Sequence, residues 1–276
     1  MDWIQGQKFW EIADMVFTPK EVASDDYYKL PNTFNAHKLN NNSIIYTHTM
    51  YVKQLFDILK LFTNGHIIVI SHNSDVNIDE SFRVPSCVKK WFTTNVDVVN
   101  LKIESIPIGL ENDRWFPTLC KKDQMECVFE QQKNYKNIVY INFDIKTNKN
   151  KRQTAYAFFN SKPWVTATEC DRKNGIEFNK YICNVYQHKF VVCPEGNGID
   201  THRVWETLYM CSIPILLKNT NYLFYKNLPI CFVNNWEEVT EEFLQNQFEF
   251  ILNRKTINMQ MLTFEYWKNK ILNERN

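Results

Sequence analysis

The sequence predicts an α/β protein built as two Rossmann-like, doubly wound halves, and three observations carry that expectation. Short β-branched apolar runs alternate along the chain with segments of helical period. A polar stretch at 119–137, "LCKKDQMECVFEQQKNYKN", separates two such series. The second series holds a strand–loop–helix unit, "FVVCPEGNGIDTHRVWETLYMCSIPILLK" (190–218), with two glycines within three positions in a chain that has only six.

In the first series "SIIYT" (43–47) and "HIIVIS" (66–71) read as buried strands. Between them Val52, Leu55, Phe56 and Leu59 share one face of a helix, and "KIESIPIGL" (102–110) reads as a strand ending in a glycine turn. In the second series the expected strands are "NIVYIN" (137–142), "PWVTA" (163–167), "KFVVC" (189–193), "IPILL" (213–217) and "PICFV" (229–233). Helices are expected near 152–159, 178–187 and 202–211. Ile257, Met261, Phe264 and Ile271 predict a final amphipathic helix that packs back on the first domain. The expected domains are therefore 1–125, 126–255 and the helical tail 256–276, with a cleft between the two halves.

Composition narrows the function. The 32 basic and 31 acidic side chains balance, which argues against nucleic acid or an anionic membrane as the main partner. Eight cysteines show no CxxC pair or zinc-like spacing, so all are expected to be reduced, in a cytoplasmic setting. Several, including Cys193 and Cys211, stand in apolar runs where a thiol serves as a small hydrophobe. The opening "MDWIQGQKFWEIAD" has no signal-peptide pattern, and no apolar stretch approaches the ~20 residues of a membrane span.

The loop after "KFVVC" is the candidate ligand site, because open α/β sheets bind ligands outside the carboxyl ends of their strands. Pro194, Glu195, Gly196, Asn197 and Gly198 form the loop, and the glycines allow backbone and ligand to approach closely. Asp200 or Thr201 is the expected N-cap. The first amides of the helix favour a phosphate, and Arg203 in its first turn suits phosphate oxygens. Glu206 shares a face with His202 and Arg203, and its carboxylate suits ribose hydroxyls. Arg152, within the cluster Lys146, Lys149, Lys151 and Arg152, is a further phosphate candidate. A dinucleotide fingerprint would need glycine where Thr201 stands, and no GK[ST] follows either glycine. A nucleotide-sugar fits better.

The 190–216 segment resembles the donor motif of exostosin-like (GT47-type) glycosyltransferases and of related proteins of large DNA viruses. "HIIVISHNSD", "IESIPIGLEND" and "NIVYINFDIKTNKNKR" resemble segments of the same group in the same order. The resemblance spans about 66–240 and implies a GT-B fold, a UDP-sugar donor in the second domain, a glycan acceptor facing the first, and inversion at the anomeric carbon. UDP-xylose is the donor it favours, with UDP-galactose and UDP-glucuronate open. The chain departs from many members in showing no membrane anchor.

Such a transfer needs a base for the acceptor hydroxyl. Asp75 and His72, in the "SHNSD" that follows a strand, are the expected catalytic residues, with His48, Glu111 and Asp113 as further candidates. No D-x-D is present, so no metal or other cofactor is expected, and the leaving diphosphate falls to the helix start, Arg203 and Arg152. Trp91, Trp115, Trp164 and Trp236 are candidates for stacking on sugar or base. The rival readings are a non-catalytic carbohydrate-binding protein and a nicotinamide-dependent oxidoreductase.

Overall fold

The computed structural model describes residues 2–19, 32–62, 65–112, 121–170 and 175–276. The candidates Asp113 and Trp115, together with Cys120, lie outside the described residues. The chain divides into two compact units, residues 1–110 with 263–276, and residues 111–262. Each unit is α/β, and each holds one five-stranded sheet among the described residues, with all strand pairs parallel.

The first unit contains α1 (Gly6–Trp10), β1 (Met15–Phe17), β2 (Ile44–His48), α2 (Val52–Leu59), β3 (Ile67–His72), β4 (Val88–Thr93) and β5 (Ile103–Ser105). The apolar runs of β2 and β3 are buried along their whole length, as strands covered on both faces must be. Val52, Leu55, Phe56 and Leu59 are the buried face of α2, as their spacing predicts. Sequence reading missed β1 and β4. The first is three residues long, and Lys89 and Lys90 interrupt the apolar pattern of the second. Lys90 reaches the Leu101 carbonyl at 3.2 Å and Glu104 at 3.2 Å, so its charge sits at the sheet margin while the stem packs. Trp91 is fully buried and donates to Ser71 Oγ at 2.9 Å, a core residue and not a sugar platform. Of the predicted strand 102–110 only Ile103–Ser105 joins the sheet, while Gly109 and Leu110 bridge to Gln5. Beyond it Gly109 turns the chain at φ 68°, where a Cβ would collide with the Ile4 carbonyl.

The second unit contains α3 (Lys121–Val128), β6 (Asn137–Ile141), α4 (Lys149–Phe159), β7 (Val165–Ala167), α5 (Gly175–Tyr186), β8 (His188–Val192), α6 (His202–Tyr209), β9 (Ile213–Leu217), β10 (Cys231–Val233) and α7 (Glu241–Leu252). All five predicted strands are present. The apolar faces of β6, β8 and β9 enclose a core with Phe159 and Trp236, and Trp164 packs against the same cluster. These two tryptophans are therefore part of the core.

The two sheets differ in strand order. The first runs β1-β2-β3-β4-β5, in sequence, whereas the second runs β10-β9-β8-β6-β7. The order in the second sheet reverses between β6 and β8, which opens a crevice between the loops leaving those strands.

Two expectations are corrected. Cys211 is exposed, not packed, and takes a left-handed conformation (φ 55°) just beyond α6. Lys133 donates there to the carbonyls of Met210 at 3.2 Å and Cys211 at 2.8 Å, closing the helix end with a cation. The tail is not one helix. Met259–Leu262 forms a 3₁₀ turn, and Thr263 then caps α8 (Phe264–Asn273) by accepting from the Tyr266 amide at 3.3 Å. Phe264 meets Phe9 edge-on at 5.2 Å within the first unit, and Lys270 pairs with Glu104. Among the described residues no helix is long and apolar enough to cross a membrane.

Gly109→Ala should destabilise the first unit by about 1–3 kcal/mol, because the left-handed backbone and the Ile4 carbonyl both oppose a side chain. Chemical denaturation followed by circular dichroism reads this directly.

Candidate functional site

The crevice of the second sheet lies between the loop leaving β6 (142–148) and the loop leaving β8 (193–201). Arg152, from the first turns of α4, is buried and ties them together. Its Nε donates to the Glu195 carbonyl at 2.9 Å and its Nη1 to the Asp144 carbonyl at 2.8 Å. Asn148, the N-cap of α4, donates to the Gly196 carbonyl at 2.7 Å. Lys146, Lys149 and Lys151 are exposed, so the structure separates Arg152 from its charged neighbours in sequence.

The first glycine of the loop answers to this clamp. Its φ lies outside the left-handed region, and a Cβ on Gly196 would stand 3.0 Å from Arg152 Nη2. Close approach of the protein's own guanidinium is what requires glycine at this position. The Gly196 amide donates to the Gly198 carbonyl at 3.0 Å, which tightens the turn. Glu195 accepts from Asn219 at 3.3 Å and pairs with Lys151 at 3.7 Å. Behind Pro194 and Glu195, against Tyr222 and Trp236, lies a narrow recess with room for about one water molecule.

The start of α6 falls where expected, but without the expected side-chain bond. Thr201 is the N-cap residue (φ −132°, ψ 144°), yet its side chain makes no capping hydrogen bond. Its Oγ1 is buried without a hydrogen-bond partner. Both oxygens of Asp200 accept from Trp205 Nε1 at 3.0 Å. Thr201 itself thus supplies no side-chain acceptor to the positive end of the helix.

Arg203 follows in the first turn and is half-buried. Among the described residues it has no hydrogen bond or ion pair, and its Nε is buried and unsatisfied. Its guanidinium carbon lies 5.9 Å from the Phe143 ring and 6.0 Å from the Tyr181 ring. Burial opposes its charge, but Tyr181, Cys193 and Glu206 more than offset that, so its pKa stands above the ordinary guanidinium value. Arg152 lies 6.0 Å from the same Phe143 ring, so two cations flank one aromatic side chain at the crevice.

Glu206 is buried and accepts from the Tyr181 hydroxyl at 2.9 Å. His202 Nε2 lies 3.4 Å from Glu111 Oε2. Tyr181, on α5, and Phe143 were missed in the sequence. Nothing local marks Tyr181, because its partner stands 25 residues away. Asn142, buried at the end of β6, donates to Thr168 Oγ1 at 2.8 Å and to the Glu169 carbonyl at 2.9 Å, leaving the β7 side of the crevice polar. Asn197 and Gly198 complete the loop between these groups.

In the first unit the residues after β2 and β3 are also polar. His48 and His72 are paired across those strands. His72 is buried: Nε2 lies 2.9 Å from the Pro107 carbonyl, Nδ1 accepts from the Asn73 amide at 2.8 Å, and Phe9 stacks on the ring at 5.2 Å. The Pro107 carbonyl calls for a proton on Nε2, and with the Asn73 side-chain oxygen 3.1 Å from Nδ1 both ring nitrogens are occupied. Asp75 is exposed in the loop beyond. Among the described residues no three His, Cys, Asp or Glu side chains gather as a metal site.

No family model matches the sequence, and no curated protein matches it. Among solved structures the chain is similar to the pneumococcal O-GlcNAc transferase GtfA in complex with UDP and GlcNAc. The TM-score is 0.36 and the identity 9%, over 87% of this chain and 58% of that one. The chain thus spans a little over half the length of that structure, and a likeness this remote bears on neither substrate nor mechanism. The exostosin resemblance accordingly rests on the quoted segments alone.

The site also sorts the thiols. Burial pushes Cys193, under the loop, up to about 12, and does the same for Cys231. Alkylation of the native protein near pH 8 should label the exposed Cys127 and Cys211 and spare Cys193 and Cys231, with mass spectrometry of the digest as the readout.

Proposed function

We propose that this chain is a glycosyltransferase with a GT-B-like arrangement, akin to the exostosin-like enzymes, that takes a UDP-sugar and glycosylates a hydroxyl of a glycan. The observation that carries the reading is Arg203, a half-buried cation with no partner among the described residues, beside a helix start that its own N-cap leaves uncapped. A desolvated, unpaired charge is costly, and a diphosphate offsets that cost at the positive end of α6. The position supports the reading too, since this is the switch point of the sheet.

In this reading Arg203 and the α6 amides hold the diphosphate and stabilise the charge that grows on it as the anomeric C–O bond breaks. Arg152 acts indirectly, by holding the loop carbonyls so that the 194–198 segment keeps its shape. The acceptor oxygen attacks the anomeric carbon as UDP leaves, and its proton passes to a base. Asp75 suits that role better than His72, whose ring nitrogens are both engaged. UDP-xylose remains the first donor to try.

Calorimetry with UDP tests the site. Arg203→Ala should weaken UDP binding by about 30-fold, ~2 kcal/mol, in a folded protein. A wild-type protein that ignores UDP overturns the reading in favour of a carbohydrate-binding one. Asp75→Asn should lower kcat by about 10²–10⁴ while leaving UDP affinity unchanged. Full turnover by that variant removes Asp75 from the mechanism.

A further inference from the structure

We propose that Tyr181 is a positioning residue whose hydroxyl holds the Glu206 carboxylate and thereby keeps the Arg203 guanidinium available for phosphate. This inference rests on the diphosphate site proposed above and names the group that keeps it open.

Arg203 and Glu206 stand three positions apart on α6, where opposite charges on one helical face ordinarily pair. Here they do not pair. Glu206 instead accepts from Tyr181, a neutral donor on a different helix, at 2.9 Å. Arg203 makes no ion pair among the described residues. Its guanidinium lies 5.9 Å from the Phe143 ring and 6.0 Å from the Tyr181 ring, and aromatic faces hold a cation without occupying its N–H donors. Tyr181 thus acts twice, with its hydroxyl on the competing carboxylate and its ring beside the cation. Its own place is set by Phe178 and Tyr140, whose rings lie 5.9 and 6.2 Å away. Without the hydroxyl, the buried carboxylate loses a donor, and the guanidinium one turn back on its own helix, already coupled to it electrostatically, is the group that competes to replace it. An Arg203–Glu206 pair would then compete with the incoming phosphate.

The test is calorimetric titration of UDP, uridine and inorganic pyrophosphate into the wild type, Tyr181→Phe, Arg203→Ala and the double variant. Tyr181→Phe should weaken UDP and pyrophosphate by about tenfold and leave uridine within about twofold, because only phosphate needs the free guanidinium. In the Arg203→Ala background the same change should cost nothing further. Unchanged pyrophosphate affinity in Tyr181→Phe, an equal loss for uridine, or the same loss without Arg203 overturns the proposal. A wild type that binds pyrophosphate but neither UDP nor uridine sinks the nucleotide reading, and the pyrophosphate comparison then decides Tyr181 alone. If the wild type binds none of the three, both fall. Should Tyr181→Phe fail to fold, Glu206→Gln removes the competing charge. Tyr181→Phe/Glu206→Gln should then bind pyrophosphate within about twofold of Glu206→Gln, and a tenfold loss there overturns the assignment.

Discussion

The Arg152 guanidinium, buried and hydrogen-bonded to the carbonyls of Glu195 and Asp144, is the constraint on which the rest of the second unit's crevice depends. It joins the loops leaving β6 and β8, the two strands between which the sheet order reverses. A buried cation must be satisfied, and here backbone carbonyls at two strand ends do it. Gly196 follows from that requirement, since any side chain there would crowd the guanidinium. With the loop held, the chain enters α6 at Thr201, and Asp200 accepts from Trp205.

The two arginines of the crevice illustrate how burial and partners divide one residue type between roles. Arg152 has acceptors and serves as a tie. Arg203 has aromatic faces and no acceptor among the described residues, which leaves it charged, oriented and open. In the first unit His72 is of the first kind, held by Pro107, Asn73 and Phe9.

Much of the second unit was legible before the structure. β8 and β9 are short, largely buried apolar runs, so their length and β-branched content mark them as strands. The loop at 194–203 was legible because glycine is scarce in this chain and two fall together. In the first unit β1 and β4 were hidden, the one by its brevity and the other by two lysines whose stems pack while their charges reach the margin. The C-terminal pattern from Ile257 to Ile271 read as one helix because both sides of the Thr263 break bury residues at similar spacing.

By itself, then, the amino-acid sequence determined the α/β alternation, the strands of the second sheet and the place where α6 starts, because each depends on neighbours within a few residues. Tertiary structure decided that Arg152 ties loops while the lysines beside it face solvent. It also decided that Glu206 meets Tyr181 and not Arg203. Those outcomes depend on which strands and helices lie side by side, and strand order is set by the packing of the whole unit, which no local pattern encodes.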